Sequence, residues 1–421
     1  MDIKRIENCY DSHVHWRATG DFSERISLKT LKHPREILSI PPPDGVFCVL
    51  GYGWKFEEDL SIECTKELLD QWCKDRPVVL SKNDGHVLWV NSRALELAGL
   101  LQSKPSGILR EKERDAVFNS IPKPSMAVVT RHLMKAQKIF HGEGITHIRD
   151  VHMNEDQFKA ARHLEESGLL KLSVEGFVYD ESLTELEKVQ LVKHLKSQSP
   201  KSSLLRIKGV KVFLDGSLGS ETAAISQPYL SGSGHGLLLH TLEELAEIIE
   251  RAWREDLEVA IHCIGDEAVD RACQAALTVQ DRAGLQGGIH FEHVQILKEK
   301  NIPDLKKLNA ICHLQPSHWT NDHSWLPDKI SSELIKNSFP WRRLQEAEVS
   351  FYFGSDSPIS PSGVAPIQQA IDASSMKGHP KLLGEIKSYL SHPDLSWPAN
   401  TFTEFEQDGR VKLIHFRGEN L

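Results

Sequence analysis

The residues best suited to metal chemistry lie near the start of the chain, in the segment DSHVH at 11–15. Residues i and i+2 of a β-strand point to the same face, so His13 and His15 would direct two imidazoles towards one point. Imidazole is a common ligand of zinc and related divalent metals. Because an H-x-H pair is frequent by chance, its meaning depends on further ligands elsewhere in the chain.

Four later residues fit the same metal, and each lies at or near the end of a strand-like segment. They are Lys211, His262, His293 and Asp356. In a barrel the C-terminal ends of the strands converge, so these side chains would surround one or two zinc-like ions. The chain has 21 histidines, so a lone histidine indicates little. It is the shared position at strand ends that predicts the site.

Lys211 lies in an apolar segment, where a charged ammonium group is costly. Burial would lower its pKa and free the amine. A free amine can take up carbon dioxide and form a carbamate, which is an anionic ligand able to bridge two metals. The alternative is an ion pair with Asp215 or another carboxylate. Asp215 begins the following loop and could orient Lys211. Chemistry alone does not separate these two interpretations.

Strand and helix patterns alternate from about residue 125 onwards. With the first strand at 8–15, the predicted strands are 144–150, 171–178, 209–216, 258–262, 288–293, 310–316 and 349–356. Eight such units predict an α/β fold, either a (β/α)8 TIM-like barrel or a doubly wound sheet. The barrel is favoured because polar residues recur at the C-terminal ends of the strands.

Three regions are predicted from these patterns. The barrel covers 8–43 and 121–380, and a strand-rich insertion covers 44–120, with a hairpin that turns at Asp84-Gly85. A C-terminal extension covers 381–421 and contains a β-hairpin that turns at Asp408-Gly409.

The composition excludes several classes of function. The chain has 421 residues, 40% of them hydrophobic and 26% charged, with a formal net charge of −9, which argues against nucleic-acid or membrane-surface binding driven by bulk charge. No apolar run approaches the ~20 residues that cross a bilayer, and the N-terminus lacks the apolar core of a signal peptide. The seven cysteines lack C-x-x-C spacing. We therefore expect a cytoplasmic protein that acts on a small molecule; a homodimer is left open.

Nine segments between 11 and 360 carry a resemblance to a known family. They are DSHVHW at 11–16, GYGW at 51–54, LLDQWCKDRPVVLSKNDGHVLWVNSRALELAG at 68–99, GILRE at 107–111, KGVKVFLDGSLGSETAA at 208–224, IHCIGDEAVD at 261–270, FEHVQ at 291–295, LQPSH at 314–318 and FGSDSP at 353–358. The chain resembles the amidohydrolase superfamily, and within it amidohydrolase family 3, the branch of YtcJ-like and N-substituted formamide deformylase-like proteins.

The resemblance implies a distorted barrel with one or two divalent ions, most simply zinc, and hydrolysis of a C–N bond in an amide, carbamate or cyclic amide by a metal-activated water. It assigns ligand roles to His13, His15, Lys211, His262, His293 and Asp356, and it favours the carbamate on Lys211. It also places the strand-rich insertion over the barrel mouth. Family members usually begin with a β-rich segment that forms part of a small β-sandwich, and because only ten residues precede Asp11, the resemblance implies a much reduced β-sandwich here.

The same chemistry suggests roles for individual residues. Asp356 would take a proton from water and pass it to the leaving amine. His293 and His262 would hold a second metal or polarise the substrate carbonyl. Candidate substrate contacts are His86, Trp54, His318 and Asp322, although a turn histidine or a core tryptophan would also explain the first two.

One departure from the family pattern keeps alternatives open. Glu221 stands where this branch usually has a basic residue, which would alter the substrate charge that the site prefers. A binding or regulatory protein that kept the barrel without catalysis is one alternative, and a deaminase or isomerase on the same metal platform is another.

Overall fold

A computed structural model describes residues 5–56, 63–82, 87–104, 106–110, 112–200, 202–359, 390–406 and 410–421. The chain separates into two compact units. The first contains the described residues up to Gly20 and from Val129 onwards, and the second runs from Asp21 to Val128.

The described strands are β1 Arg5–Glu7, β2 Tyr10–Val14, β3 Ile26–Ser27, β4 Val49–Trp54, β5 Val78–Lys82, β6 Val87–Val90, β7 Ile108–Arg110, β8 His147–Met153, β9 Ser173–Val178, β10 Leu205–Phe213, β11 Glu258–Cys263, β12 Ile289–His293, β13 Ile311–Leu314, β14 Ser350–Phe353, β15 Phe402–Phe405, β16 Val411–Phe416 and β17 Glu419–Asn420. The described α-helices are α1 Trp16–Ser23, α2 Lys66–Trp72, α3 Ser92–Leu97, α4 Lys112–Ser120, α5 Met126–Gly142, α6 Glu155–Glu166, α7 Glu185–Ser197, α8 Leu242–Arg254, α9 Asp266–Ala283, α10 Asn301–Lys307, α11 Pro316–Asp322, α12 Ser332–Lys336 and α13 Trp341–Glu346.

Eight strands form the parallel sheet at the centre of the first unit. Their order is β2-β8-β9-β10-β11-β12-β13-β14, and at least one α-helix lies between each two successive strands from β8 to β14. The predicted eight-stranded (β/α)8 barrel is therefore confirmed. Parallel strands need crossover connections, and helices with one apolar face provide them while covering the sheet.

Helix α8 shows how the local sequence specifies such a crossover. Thr241 accepts a hydrogen bond from the Glu244 backbone N–H (3.2 Å), and the Glu244 carboxylate accepts one from the Thr241 N–H (2.8 Å), which together form a capping box. Leu245 and Ile249 follow at helical spacing and are buried in the core. The helix therefore begins at a defined residue and presents its apolar face to the sheet.

The barrel closes where the end of β14 meets β2. The His15 N–H donates to the Ser357 carbonyl (2.9 Å), and the Asp356 N–H donates to the His13 carbonyl (2.9 Å). The approach at Gly354 is so close that a Cβ there would lie 2.6 Å from the His13 nitrogen. Closure thus places Asp356 beside both histidines of the H-x-H pair.

A small antiparallel sheet, in the order β1-β15-β16-β17, joins the two ends of the chain. The strands of the predicted C-terminal hairpin are β15 and β16, and their turn at Asp408-Gly409 lies outside the described residues. The three-residue strand β1 pairs with β15, so the segment before the first barrel strand contributes to this sheet. The Thr403 hydroxyl donates to the Gly144 carbonyl (2.6 Å), just before β8.

The second unit has its own five-stranded sheet, β3-β4-β5-β6-β7, and its own core. The predicted bounds 44–120 are too narrow, because β3 pairs with β4, and Leu28 and Ile37 are buried in this core. Residues 21–43 therefore belong to this unit and not to the barrel. Strands β5 and β6 form the predicted antiparallel hairpin, whose turn at Asp84-Gly85 lies outside the described residues.

In the part of the chain that the structure describes, no helix has the length and apolarity that crossing a bilayer requires.

The close contact at Gly354 gives a test of barrel closure. Gly354→Ala should lower the free energy of unfolding by about 1–3 kcal/mol, because the new methyl group must displace the His13 backbone. The matched control is Gly142→Ala at the end of α5, where a Cβ meets no atom within 4 Å among the described residues. That change should leave stability equal or slightly higher, since alanine is the better helix former. Urea denaturation checks both variants, and equal effects would contradict the tight closure.

Candidate metal and catalytic site

A buried group of three potential metal ligands lies at the C-terminal ends of the barrel strands. The ligand atoms of His13, His293 and Asp356 all lie within 4.8 Å of one another. Asp356 Oδ1 is 3.4 Å from His13 Nε2 and 3.1 Å from His15 Nε2. The last strand thus supplies a carboxylate to both imidazoles of the first.

His262 and Lys211 complete the predicted ligand set. The His262 ring centroid lies 4.6 Å from that of His293. Lys211 is 1% exposed, and its ammonium group lowers the pKa of both histidines, although burial is the larger cause. The structure therefore brings all six predicted ligands together.

The Lys211 amine fits a role as a metal ligand better than a role as an ion-pair partner. Its Nζ is buried, and no described residue offers it a hydrogen bond. Burial lowers the pKa of Lys211 to about 8, although the nearby Glu292 carboxylate opposes this shift. A substantial fraction of the amine is therefore neutral near pH 8, which is the form that can become a carbamate.

Two of the predicted ligands occupy an uncommon backbone conformation. His293 has a φ of 74° and Asp356 a φ of 54°, both in the left-handed region that non-glycine residues rarely adopt. Such strain costs about 1–3 kcal/mol per residue and persists only where the surrounding structure enforces it. At these strand ends it turns two functional side chains into the site.

Neighbouring hydrogen bonds determine which imidazole nitrogens are available to a metal. The Gln315 amide N–H donates to the His313 carbonyl (3.0 Å), so its oxygen faces His293 and accepts from Nδ1 (2.8 Å). This leaves His293 Nε2 with the free lone pair. His262 Nε2 donates to the Gly216 carbonyl (3.0 Å), which leaves Nδ1 free.

The most important residues that the sequence analysis missed are Glu292 and Arg149. Glu292 Oε2 accepts a hydrogen bond from His13 Nδ1 (2.6 Å), and Oε1 lies 2.8 Å from Arg149 Nη1. Burial would raise the pKa of Glu292, but Arg149, helped by His313, holds it well below its usual range. The ionised carboxylate therefore fixes His13 with Nε2 towards the metal ligands, as carboxylates do for metal-binding histidines.

Asp215 does not act as the predicted partner of Lys211. Within the described structure no ion pair joins the two residues. The Asp215 carboxylate instead accepts backbone N–H bonds from Ile264 (2.9 Å), Gly265 (2.8 Å) and Ala224 (3.0 Å). It thus ties the loop after β10 to the loop after β11. Its Oδ1 also lies 3.6 Å from Nε2 of His262, one of the predicted ligands.

Two of the four predicted substrate contacts, His318 and Asp322, lie on the helix that follows β13. His318 Nε2 lies 3.2 Å from Asp356 Oδ2, and Gln295 donates to its Nδ1 (2.8 Å). Asp322 is on the same helix, α11, and burial raises its pKa to about 6.

Trp54 is buried in the core of the second unit, and its indole N–H donates to the Leu80 carbonyl (3.1 Å). His86 lies outside the described residues. Substrate binding by these four residues stays a prediction.

Three aromatic side chains near the ligands were also missed. His152 on β8 contacts the His15 ring at 5.5 Å between centroids, and Tyr179 follows β9 and contacts His152 at 4.9 Å. Phe213 ends β10 and stacks on His262 at 4.9 Å. The sequence signal for all three is their place at or just after a strand end.

A parallel (β/α)8 barrel with a buried cluster of metal-binding side chains at its C-terminal strand ends defines a class of hydrolase-type barrels. The model of the Amidohydrolase family matches residues 10–379, and the chain belongs to this family. The resemblance inferred from the sequence motifs is thereby confirmed.

Three curated proteins are similar to this chain over most of its length. The Bacillus subtilis (strain 168) protein YtcJ, whose name assigns it to the amidohydrolases, is 27% identical over 383 residues, covering 83% of this chain and 70% of YtcJ. Protein LONG AFTER FAR-RED 3 of Arabidopsis thaliana is 24% identical over 388 residues, covering 84% and 66%. N-substituted formamide deformylase of Arthrobacter pascens is 22% identical over 343 residues, covering 75% and 62%. The chain thus spans about two thirds of the length of these relatives.

Solved structures agree with the fold. An uncharacterized metal-dependent hydrolase from Pyrococcus furiosus has a TM-score of 0.78 at 27% identity, covering 92% of this chain and 81% of that one. A second, from Pyrococcus horikoshii OT3, has a TM-score of 0.75 at 27% identity, covering 93% and 79%.

The Arg149–Glu292–His13 network gives a stability test. Glu292→Gln should lower the free energy of unfolding by about 3–5 kcal/mol, because it leaves the Arg149 charge buried without a carboxylate. Adding Arg149→Met should recover much of that loss. Glu404→Gln, at a partly exposed residue 3.6 Å from Lys412, is the control and should change stability by less than about 1 kcal/mol. A Glu292→Gln variant as stable as this control in urea would contradict the proposed network.

Proposed function

We propose that this protein is a metal-dependent hydrolase that cleaves a C–N bond of a small amide, carbamate or cyclic amide with water as the nucleophile. The buried group of His13, His293 and Asp356 supports the metal. His15 and His262 lie beside this group, and the buried Lys211 amine lacks a described hydrogen-bond partner. The likeness to N-substituted formamide deformylase supports the bond type. Family membership supports hydrolysis.

The donor set suits one or two divalent ions, most simply zinc. His13, His15 and Asp356 would hold one ion, and His262 and His293 the other. A carbamate on Lys211 would lie between them: the Nζ lone pair bonds to the carbon of carbon dioxide, and one N–H proton leaves to solvent. Bound zinc supplies a Lewis acid and lowers the pKa of a coordinated water from about 15.7 to about 7.

Asp356 is the residue that would move the proton. Burial would raise the pKa of Asp356, but the neighbouring His13, with contacts from His15 and His318, holds it well below its usual range. The carboxylate is therefore ionised and can accept a proton from the attacking water. It can then deliver that proton to the nitrogen of the leaving amine.

His318 would keep Asp356 in position for this transfer. Because Gln295 donates to His318 Nδ1, the proton of the neutral ring is on Nε2, which faces Asp356 Oδ2 at 3.2 Å. Asp356 Oδ1 then remains directed at His13 and His15. Oδ2 would therefore hold the carboxylate in position through His318, and Oδ1 would face the metal ligands.

Elemental analysis of protein purified without a chelating tag tests the metal and the carbamate. We expect close to two ions per chain in the wild type and one or fewer in Lys211→Met, because the bridging anion is lost. The control, Lys208→Met, changes a lysine of the same strand that pairs with Glu258 (2.8 Å), and it should keep the wild-type content. Absence of metal from the wild type would overturn the proposed function. Unchanged content in Lys211→Met would overturn the carbamate alone.

Asp356→Asn tests the proton transfer. On a panel of N-acyl amines, kcat/KM should fall by about 10²–10⁴-fold, because an amide cannot take up the water proton. Asp281→Asn, an exposed change on α9, should keep wild-type activity. Metal content is measured in parallel to separate lost chemistry from lost binding. A metal-loaded wild type that hydrolyses nothing on the panel would refute the hydrolase and favour a binding protein.

A further inference from the structure

The geometry points to a substrate whose acyl group carries an aromatic ring. This inference rests on the proposed function, and it adds the class of acyl group and the direction in which the substrate lies. It follows from the three aromatic residues that do not serve as predicted ligands, His152, Tyr179 and Phe213, which we call the aromatic arc.

The arc completes a closed circle of ring contacts around the site. Successive centroid distances are 5.6 Å for His13–His15, 5.5 Å for His15–His152, 4.9 Å for His152–Tyr179, 4.9 Å for Tyr179–Phe213, 4.9 Å for Phe213–His262, 4.6 Å for His262–His293 and 4.7 Å for His293–His13. Four of these seven rings are predicted ligands. The other three fill a continuous stretch of the circle at the ends of β8, β9 and β10.

The aromatic arc is open to a ligand rather than sealed in the core. All three side chains are only partly buried. Among the described residues, neither the Tyr179 hydroxyl nor the His152 ring has a hydrogen-bond partner. The Lys188 ammonium lies 4.5 Å from the Tyr179 centroid and helps to fix the orientation of that ring.

The polar groups that handle the proton lie on the other side of the barrel. Asp356 follows β14, and His318 is on the helix after β13. In the order of the eight-stranded barrel, four positions separate β9 from β13 and β10 from β14, so Tyr179 and Phe213 face the strands of His318 and Asp356 across the axis. Strand β8, which carries His152, is two positions from β14. The site therefore has a proton-transfer side and an aromatic side.

This asymmetry orients the substrate. The leaving nitrogen must face Asp356 to receive its proton, so the substituent on the acyl carbon points the opposite way, towards the aromatic arc. Aromatic rings pack edge to face with one another and gain affinity beyond that from buried area. Rings along the arc meet at interplanar angles of 84° and 59°, so they present both edges and faces to a ligand.

Hydroxamates test this directly, because they bind a metal through the head group and present the acyl substituent unreacted. We would titrate metal-loaded protein calorimetrically with phenylacetohydroxamate and cyclohexylacetohydroxamate, which differ in aromaticity but little in size. The wild type should bind the phenyl compound about two- to tenfold more tightly. Tyr179→Leu should reduce this ratio towards one, whereas Phe402→Leu, in the small sheet that contains β15, should preserve it.

Acetohydroxamate, which has only a methyl substituent, separates the two proposals. If it binds but the wild type does not prefer the phenyl compound, or if Tyr179→Leu keeps the preference, the aromatic inference is overturned and the metal site stands. If none of the three hydroxamates binds, the proposed function fails and the inference fails with it.

Discussion

The ionised Glu292 carboxylate, buried between Arg149 and His13, is the interaction on which the rest of the site depends. Several imidazoles, a guanidinium and an ammonium meet inside one barrel, where unpaired charge is expensive. Glu292 balances the guanidinium, and the same carboxylate fixes the His13 tautomer with Nε2 towards Asp356. It also opposes the fall in the pKa of Lys211 that burial causes. A single negative charge thus pairs with Arg149, orients His13 and raises the pKa of Lys211 against the effect of burial.

Closure of the barrel sets the distance between Asp356 and the two histidines of the H-x-H pair. Hydrogen bonds between the end of β14 and β2 bring Asp356 to the H-x-H pair, and glycine at 354 permits the close approach. The left-handed backbone at His293 and Asp356 is unfavourable locally. The parallel sheet and its helices offset that strain, because the strand ends cannot relax without breaking the ladder of backbone hydrogen bonds.

The sequence predicted those features whose signals are local. Each barrel strand is a short apolar segment, and each predicted ligand lies at or near the end of one, so the strands and His13, His262 and Asp356 could be identified directly. Glu292 could not, because a charged residue inside an apolar strand has no readable partner until Arg149, far away in sequence, is brought beside it. The hydrogen bonds of Asp215 could not be predicted for the same reason, since its N–H donors lie at 224 and at 264–265. Residues 21–43 were placed in the barrel because a two-residue strand such as β3 has no detectable periodicity.

The strand order also explains why the two sides of the site differ in chemistry. In a parallel barrel every strand delivers its C-terminal end to the same face, and neighbouring strands deliver to neighbouring positions. The strand ends that carry Asp356 and His318 therefore face those that carry Phe213 and Tyr179, because four positions separate β14 from β10 and β13 from β9. Proton transfer requires ionised or hydrogen-bonded groups, whereas packing against an acyl substituent requires apolar rings. Topology keeps the two apart, so a substrate that spans the axis meets the proton donor at one end and the rings at the other.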